Sequence, residues 1–206
     1  MNNLRDFEDK LISGLNIKYI AGVDEVGRGP LAGPVVVCAI ILPCDYNNKK
    51  INDSKKLSKK LREQLYTDII NNAISYSIVE TSVEEIDKLN ILNATKKSME
   101  IAVNKLSPLP DFILTDYVRI NSNIHQLNLI KGDSISITIA ASSIVAKVHR
   151  DRIMIEYSKK YPVYEWETNM GYGTKKHIEA IKKNGWTDLH RKSFEPVKSM
   201  ILQSLF

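Results

Sequence analysis

Four carboxylates could carry chemistry in this chain: Asp24, Glu25, Asp116 and Asp133. Each of the three aspartates follows an apolar segment, and Glu25 adjoins the first of them. A charged carboxylate at the end of a buried strand is costly unless a cation binds it. If these segments lie side by side as strands, their ends bring the acids together. An all-oxygen site of this kind suits Mg²⁺ or Mn²⁺ and not zinc, and two such ions serve phosphodiester hydrolysis.

The spacing of Asp24 and Glu25 sets a condition on this interpretation. Any one aspartate is equally consistent with a strand end or a helix cap. Adjacent residues of a regular strand point to opposite faces, so these two acids share a site only if the chain leaves the strand there. The turn Gly27-Arg28-Gly29 follows directly and indicates such a departure. Its backbone N–H groups and guanidinium suit a phosphate or a sugar hydroxyl.

Apolar runs separated by turn residues predict the strands that position these acids. Residues 34–42 form a continuous apolar, β-branched run, which predicts a strand covered on both faces. The short gap before this run predicts an antiparallel hairpin with the strand that precedes it. The predicted strands are residues 19–24, 34–42, 75–81, 111–116 and 126–131.

Helical periodicity and capping residues predict the remaining elements. The longest helix begins at Ser134 or Ser136 and reaches about Lys160, with apolar residues recurring at helical spacing along one face. The other predicted helices are residues 1–18, 59–72, a short one from Ser82, 91–106, 175–184 and 196–206. The alternation of strands and helices predicts an α/β protein with a single domain over residues 1–206.

Composition narrows the class of protein. The 206 residues are 43% apolar, which is enough for a core. Lys and Arg exceed Asp and Glu by 29 to 24, a surplus that permits nucleic-acid binding without requiring it. The two cysteines, Cys38 and Cys44, make neither a disulfide framework nor a zinc site. No signal-peptide pattern or long apolar span occurs, so we predict a soluble, cytoplasmic protein with no membrane partner.

Five sequence blocks resemble ribonuclease HII, the type 2 ribonuclease H family. They occur in the family's order and together span residues 19 to about 197. The blocks are V-D-E-V-G-R-G-P-L-A-G-P-V at 23–35, D-S-K-K-L-S at 53–58, K-G-D-S at 131–134 with I-A-A-S-S-I-V-A-K-V-H-R-D at 139–151, G-Y-G-T-K-K-H at 171–177 and H-R-K-S-F at 190–194.

The resemblance implies a fold and an activity. The fold would be ribonuclease H-like: a mixed five-stranded sheet with its first three strands antiparallel, flanked by helices. A helical C-terminal part, at about 160–206, would complete the substrate cleft. The activity would be endonucleolytic hydrolysis of the RNA strand of RNA/DNA hybrids, with incision 5′ of single ribonucleotides in duplex DNA. The products would carry 3′-hydroxyl and 5′-phosphate ends.

The resemblance also assigns roles to residues. The family's metal-binding acids map onto the four carboxylates named above, which would hold two Mg²⁺ or Mn²⁺ ions. The Gly27-Arg28-Gly29 turn would read the 2′-hydroxyl and the flanking phosphates, and Tyr172 would check the next sugar. One departure is Tyr117, which follows Asp116 where the family usually has glycine. Further predicted substrate contacts are Lys55, Lys56, Arg191 and Ser193.

Two other functions stay open at the level of sequence. A nuclease or strand-transfer enzyme of the same fold would act on DNA that contains no ribonucleotides. A non-catalytic nucleic-acid-binding module would use the acids structurally. Ribonuclease HIII, a sibling family, carries a long N-terminal domain, for which the 18 residues before Tyr19 leave no room. We expect a monomer, and the tail lacks the Q-x-x-[LI]-x-x-F-F pattern of sliding-clamp binders.

Overall fold

The computed structural model describes residues 4–204, which divide into two compact units. The first, which we call the sheet unit, runs up to Val26 and contains Val36–Val79 and Lys96–Val148. The second, which we call the helical unit, contains Gly27–Val35, Glu80–Thr95 and the chain from His149 onward. The single domain expected from sequence stays a prediction.

A mixed five-stranded sheet forms the centre of the fold, with strand order β3-β2-β1-β4-β5. Strand β1 pairs antiparallel with β2 and parallel with β4, and β4 pairs parallel with β5. This arrangement confirms the predicted mixed sheet. The strands are β1 (Ile20–Val26), β2 (Val35–Ile41), β3 (Ser75–Thr81), β4 (Phe112–Asp116) and β5 (His125–Leu129).

Eight α-helices flank the sheet or build the helical unit within residues 4–204. They are α1 (Arg5–Leu15), α2 (Lys59–Asn72), α3 (Val83–Leu89), α4 (Ile91–Asn104), α5 (Ile137–Lys160), α6 (Trp166–Asn169), α7 (Lys175–Asn184) and α8 (Val197–Gln203). The predicted caps are present: Ser58 and Thr174 accept N-terminal amides of α2 and α7, and Ser82 forms a capping box on α3.

Strand β2 and the first half of helix α5 supply much of the buried core of the sheet unit. All seven residues of β2 are buried, as its continuous apolar run predicts. Helix α5 lies directly against β1, because a side chain added at Gly22 would come within 2.2 Å of the Thr138 backbone. Glycine at this position is therefore needed for the close approach of helix and strand.

The start of α5 is held by a carboxylate from α1. Glu8 Oε1 accepts hydrogen bonds from the Thr138 amide at 2.9 Å and from the Ser136 hydroxyl at 2.5 Å. Ser136 also caps α5, since its hydroxyl accepts the Ile139 amide. Burial raises the pKa of Glu8, and these hydrogen bonds oppose the rise. The contact fixes the segment that follows Asp133.

The core of the helical unit is an apolar cluster around the fully buried Trp166. The buried members of this cluster are Leu31, Ala32, Met154, Tyr164, Trp166, Ile181 and Val197. Several element ends differ from the sequence predictions by a few residues, and the first three residues of the predicted helix 1–18 lie outside the described part of the chain. Strand β5 stops at Leu129, before Lys131 adopts a left-handed conformation. Helix α8 ends at Gln203, and the last two residues of its predicted range lie outside the described part of the chain.

Candidate active site

Asp24 and Asp116 lie at the same level of the sheet on neighbouring parallel strands, with Asp116 at the end of β4 and Asp24 two residues before the end of β1. The paired register of β1 and β4 runs to Val23 opposite Thr115, and each aspartate is the next residue along its strand. The Gly132 amide donates to Asp116 Oδ1 at 2.8 Å, which brings the turn carrying Asp133 to the same place. The carboxyl ends of β1, β4 and β5 thus gather three of the predicted acids.

Asp24 is the most deeply buried of these acids. Its side chain is almost inaccessible, and its Oδ1 accepts the Glu25 amide at 2.8 Å. Burial, then the charges of Glu25 and Asp116, raise the pKa of Asp24 well above its usual value, against a stabilising hydrogen bond from Ser143. The like charges therefore interact across the cluster, and the cost of ionising Asp24 is high unless a cation binds.

Asp133 shares the same electrostatic environment. It lies in a 3₁₀ turn, Gly132–Ser134, and is buried. Burial raises the pKa of Asp133, as do the charges of Asp53 and Asp116, whereas Lys55 lowers it. Residues 53–55 therefore lie near the acids. Lys55 is within electrostatic reach of the predicted site, which is consistent with its predicted role.

The expectation that the chain leaves the strand at Asp24 and Glu25 is wrong. Strand β1 continues to Val26, with Asp24 paired opposite Cys38 and Glu25 opposite Val37. The break comes only at Gly27, whose φ of 98° is a left-handed conformation. Continuous pairing with the buried strand β2 keeps both acids in extended geometry. The charge of Glu25 still contributes, after burial, to the raised pKa of Asp24, so the two carboxylates interact without a break in the strand.

The four acids fit a divalent cation by the chemistry of their donors. All the ligand atoms are carboxylate oxygens, which Mg²⁺ and Mn²⁺ prefer. A cation would also offset the burial and the repulsion that raise the pKa values of Asp24 and Asp133. Within residues 4–204, no group of three or more His, Cys, Asp or Glu side chains is arranged to hold a metal ion in this conformation. The fit therefore rests on donor chemistry, not on a formed coordination shell.

Two buried arginines hold the loop that contains the Gly-Arg-Gly turn. Arg191 donates to the carbonyl oxygens of Gly27 at 2.6 Å, Arg28 at 2.9 Å and Gly33 at 2.8 Å. Arg150 donates in the same way to Pro34 and to two further carbonyls, those of Ala32 and Met170. Both positive charges therefore lie against a loop that is expected to bind phosphates.

Burial lowers the pKa of both guanidiniums. The pKa of Arg191 falls to about 9, because of burial first and the charge of Arg150 second. The pKa of Arg150 falls to about 10. Both values lie above neutral pH, so both groups stay charged, and their fixed fork geometry suits several carbonyl acceptors at once.

Arg191 is not placed as a direct substrate contact, whereas Ser193 lies at the surface. The Arg191 side chain is completely buried, with its donors directed at the loop carbonyls. Ser193 is exposed, but its hydroxyl donates to Asp87 Oδ1 at 2.5 Å and its amide bonds the same oxygen at 3.0 Å. The buried Arg191 is therefore unavailable for direct contact, whereas the substrate contact expected of the exposed Ser193 stays a prediction.

Tyr172 lies beside the Gly-Arg-Gly turn. A side chain added at Gly29 would come within 3.6 Å of Tyr172 Cε1, so the ring packs near that glycine. The ring is half exposed. Gly29 and Tyr172 are 143 positions apart along the chain, yet the structure brings them together within the helical unit. The family resemblance assigned both to sugar recognition.

Two buried histidines fix the backbone of Tyr172. His177 Nδ1 lies 2.9 Å from the Tyr172 carbonyl oxygen, so this nitrogen carries the proton and donates it. His177 Nε2 then accepts from Trp166 Nε1 at 3.0 Å and from His190 Nε2 at 3.2 Å. His190 Nδ1 in turn accepts the Thr187 amide. Each ring nitrogen has a defined role only when both imidazoles are neutral.

Lys56 has a weaker link to the site than Lys55. Its ammonium lies 3.9 Å from Asp53 Oδ2, and its side chain is exposed. Two residues of the site were not predicted from sequence: Asp53 and Ser143. Ser143 Oγ also lies 3.1 Å from Ser54 Oγ, which ties the 53–56 turn to α5. The blocks D-S-K-K-L-S and I-A-A-S-S-I-V-A-K-V-H-R-D contain one of them each and were the available signal.

The fold and the gathered carboxylates define a protein of the ribonuclease H-like class. The crystal structure of ribonuclease H2 from Pyrococcus horikoshii aligns with a TM-score of 0.78 at 24% identity, covering 90% of this chain and 98% of that one. Residues 21–197 match the Ribonuclease HII family. A Ribonuclease HII of Ligilactobacillus salivarius is 50% identical over 97% of this chain and 76% of its own length. A Ribonuclease HII of Bacillus mycoides is 51% identical over 90% of this chain and 72% of its own length.

The chain belongs to the ribonuclease HII family. It is a metal-dependent endoribonuclease that acts on the RNA strand of RNA/DNA hybrids. From residue 4 to residue 204, none of the helices has the length and apolar character needed to cross a bilayer.

Proposed function

We propose that this enzyme also cuts duplex DNA 5′ of single embedded ribonucleotides, leaving 3′-hydroxyl and 5′-phosphate ends. The observation that carries the proposal is the position of the Tyr172 ring beside Gly29 in the helical unit. A sugar-reading turn and an aromatic ring that lie together can examine two consecutive sugars. The 2′-hydroxyl is the group that distinguishes them.

In this proposal, Gly27-Arg28-Gly29 binds the ribose 2′-hydroxyl and its flanking phosphates. The buried guanidinium of Arg191 supports this role, because it holds the carbonyls of Gly27 and Arg28 and so fixes the turn. Tyr172 packs against the next sugar, where a 2′-hydroxyl would interfere. Its half-exposed ring is suited to such a contact.

Cleavage in this proposal rests on Asp24, Glu25, Asp116 and Asp133 as ligands for two Mg²⁺ or Mn²⁺ ions. When bound, these ions supply an activated water and stabilise the leaving oxygen of the displacement. Burial, followed by the charges of neighbouring acids, raises the pKa values of Asp24 and Asp133, and this supports the assignment. The charge of Lys55 lowers the pKa of Asp133, so Lys55 lies close enough to the acids to contact a nearby phosphate, with Lys56 beside it.

The test uses a labelled DNA duplex that contains one ribonucleotide, incubated with the enzyme and Mg²⁺ or Mn²⁺. Incision 5′ of the ribonucleotide, with none on an all-DNA duplex of the same sequence, is the expected result. Cleavage of the all-DNA duplex would instead favour a DNA nuclease of the same fold. A chelator should stop turnover, and no cut at the ribonucleotide would remove the proposal.

Tyr172→Ala tests the sugar-reading role separately. The substrate is a duplex with several consecutive ribonucleotides, in which only the last is followed by DNA. The wild-type enzyme should prefer the site next to the RNA–DNA junction, and Tyr172→Ala should lose this preference. Tyr172→Phe keeps the ring and should retain it. An unchanged preference in Tyr172→Ala would exclude Tyr172 from recognition.

A further inference from the structure

Three exposed residues border the acids at the ends of β4 and β5: Tyr117, Ile130 and Lys131, which we call the ledge. The side chains of Tyr117 and Ile130 are 71% and 72% exposed, and Lys131 is exposed as well. The Tyr117 amide donates to the Leu129 carbonyl at 2.8 Å, so the two turns adjoin. Tyr117 follows Asp116 directly, and Lys131 lies two residues before Asp133.

Two ledge residues have a left-handed backbone that disfavours side chains. The φ angles are 65° for Tyr117 and 58° for Lys131. At Tyr117 a bond of 2.8 Å from the Val118 amide to the Asp116 carbonyl closes a three-residue turn, which holds this conformation. Glycine or asparagine adopts this region far more readily than a tyrosine does.

Burial does not offset this strain at Tyr117, because most of its ring faces solvent. An exposed aromatic ring in a strained backbone, adjoining a site acid, indicates a role in function and not in stability. Ile130 has the same character, since it is large, apolar and exposed immediately after β5. The sheet unit therefore keeps two apolar side chains in water beside its carboxylates.

The chemistry of the ledge matches a nucleotide unit. An aromatic ring with an adjoining aliphatic side chain offers a surface for a base or a deoxyribose, and a lysine offers a contact for a phosphate. We propose that the ledge binds the nucleic-acid substrate beside the cleaved bond, with Tyr117 against a sugar or base and Lys131 against a phosphate. This inference rests on the proposed function, because it takes Asp116 and Asp133 as residues of the cutting site.

Tyr117→Asn tests the inference because stability and binding should move in different directions. Asparagine tolerates the left-handed conformation, so the melting temperature should stay the same or rise. Loss of the ring should raise KM for an RNA/DNA hybrid about ten-fold, with kcat within about two-fold, because the acids are untouched. Tyr117→Phe keeps the ring and should restore the wild-type KM.

Tyr76→Asn is the matched control. Tyr76 is a half-exposed tyrosine on β3, at the opposite edge of the sheet from β5. Its replacement should leave KM unchanged. If Tyr117→Asn also leaves KM unchanged, the ledge does not bind substrate. The same conclusion follows if Tyr117→Asn lowers the melting temperature and reduces kcat without changing KM, since the residue would then act only through stability.

The phosphate contact has its own readout in the salt dependence of binding. Lys131→Asn should reduce the slope of the logarithm of the association constant against the logarithm of the salt concentration by the amount expected for about one phosphate contact. The association constant is measured by fluorescence anisotropy with a labelled hybrid in Ca²⁺. An unchanged slope would remove Lys131 from the ledge. Failure of the single-ribonucleotide proposal is a separate outcome, because these measurements use a long hybrid and not an embedded ribonucleotide.

Discussion

Arg191 Nη2 lies 2.6 Å from the carbonyl oxygen of Gly27, so a guanidinium from near the C-terminus fixes the first residue of the Gly-Arg-Gly turn. The two residues are 164 positions apart in the chain. The same guanidinium bonds the carbonyls of Arg28 and Gly33 and stacks on Phe194 with a separation of 5.0 Å. The buried charge of Arg191 therefore holds the turn that is proposed to read the ribose, while Arg150 holds the loop at Ala32 and Pro34.

Replacing Arg191 with lysine should destabilise the enzyme although the charge is kept. An ammonium cannot reach three carbonyls with fixed geometry, so buried acceptors lose their donors. We expect a loss of about 2–4 kcal/mol in the free energy of unfolding, measured by urea denaturation. Lys192→Ala, at the exposed neighbouring position, is the control and should change stability little. Equal stability of wild type and Arg191→Lys would contradict the role of Arg191 in the loop.

Gly27→Ala and Gly29→Ala should differ sharply although both glycines belong to one motif. Gly27 has a φ of 98°, and an added side chain would lie 2.2 Å from Arg150 Nε and 2.8 Å from the Pro34 carbonyl. Gly29 has ordinary contact at 3.6 Å from Tyr172. We expect Gly27→Ala to lose about 1–3 kcal/mol of stability, and Gly29→Ala to stay within about 0.5 kcal/mol. Thermal unfolding of both variants is the measurement, and similar melting temperatures would refute the distinction.

Asp24→Asn should abolish cleavage and stabilise the metal-free enzyme. Because burial and neighbouring charge raise the pKa of Asp24, the folded state binds its proton more tightly than the unfolded state does. The contribution of Asp24 to the free energy of unfolding therefore falls as the pH rises above the pKa that Asp24 has in the unfolded chain. A neutral amide removes this cost, and the melting temperature at pH 7 should rise by about 2–4 °C.

Binding of an RNA/DNA hybrid should be retained in Asp24→Asn. The exposed Asp45→Asn serves as control and should leave both melting temperature and cleavage unchanged. A fully active Asp24→Asn enzyme would refute the metal-binding role. A clear drop in melting temperature would refute the electrostatic account.

Stability should fall as pH falls from about 6.5 to about 4 because of the paired histidines. Burial, followed by the charge of His177, lowers the pKa of His190 to about 4. Burial lowers the pKa of His177 as well. In this window the unfolded chain binds protons that the folded chain excludes, so acid favours unfolding. The loss of unfolding free energy that is due to His190 reaches about 3 kcal/mol at the acidic end of this range.

Urea unfolding between pH 7.5 and pH 4.5 measures this dependence. His190→Gln should be less stable than wild type at pH 7.5 but should lose less stability on acidification. His125→Gln, at an exposed position, should follow the wild-type slope. If His190→Gln and wild type lose stability equally with acid, the histidine pair is not the cause.

Sequence alone determined most of the local elements and the set of candidate acids. Helices α2 and α7 begin and end at the predicted residues, because their capping side chains act within the first turn. The buried strand β2 follows from a continuous β-branched run. Asp24, Asp116 and Asp133 could be recognised as a set since each ends an apolar segment, and parallel pairing brings such ends together.

Only the tertiary structure decided which side chains support the turn and which stay in water. Arg191 was predicted to contact substrate, yet it is buried against loop carbonyls, because long-range packing and not local pattern sets its environment. Strand pairing with β2 kept Asp24 and Glu25 extended, although the following glycine indicated a break. The left-handed backbone of Tyr117 could not be predicted from sequence either, since an adjoining turn imposes this conformation. Local propensities act over a few residues, whereas these contacts join segments far apart in the chain.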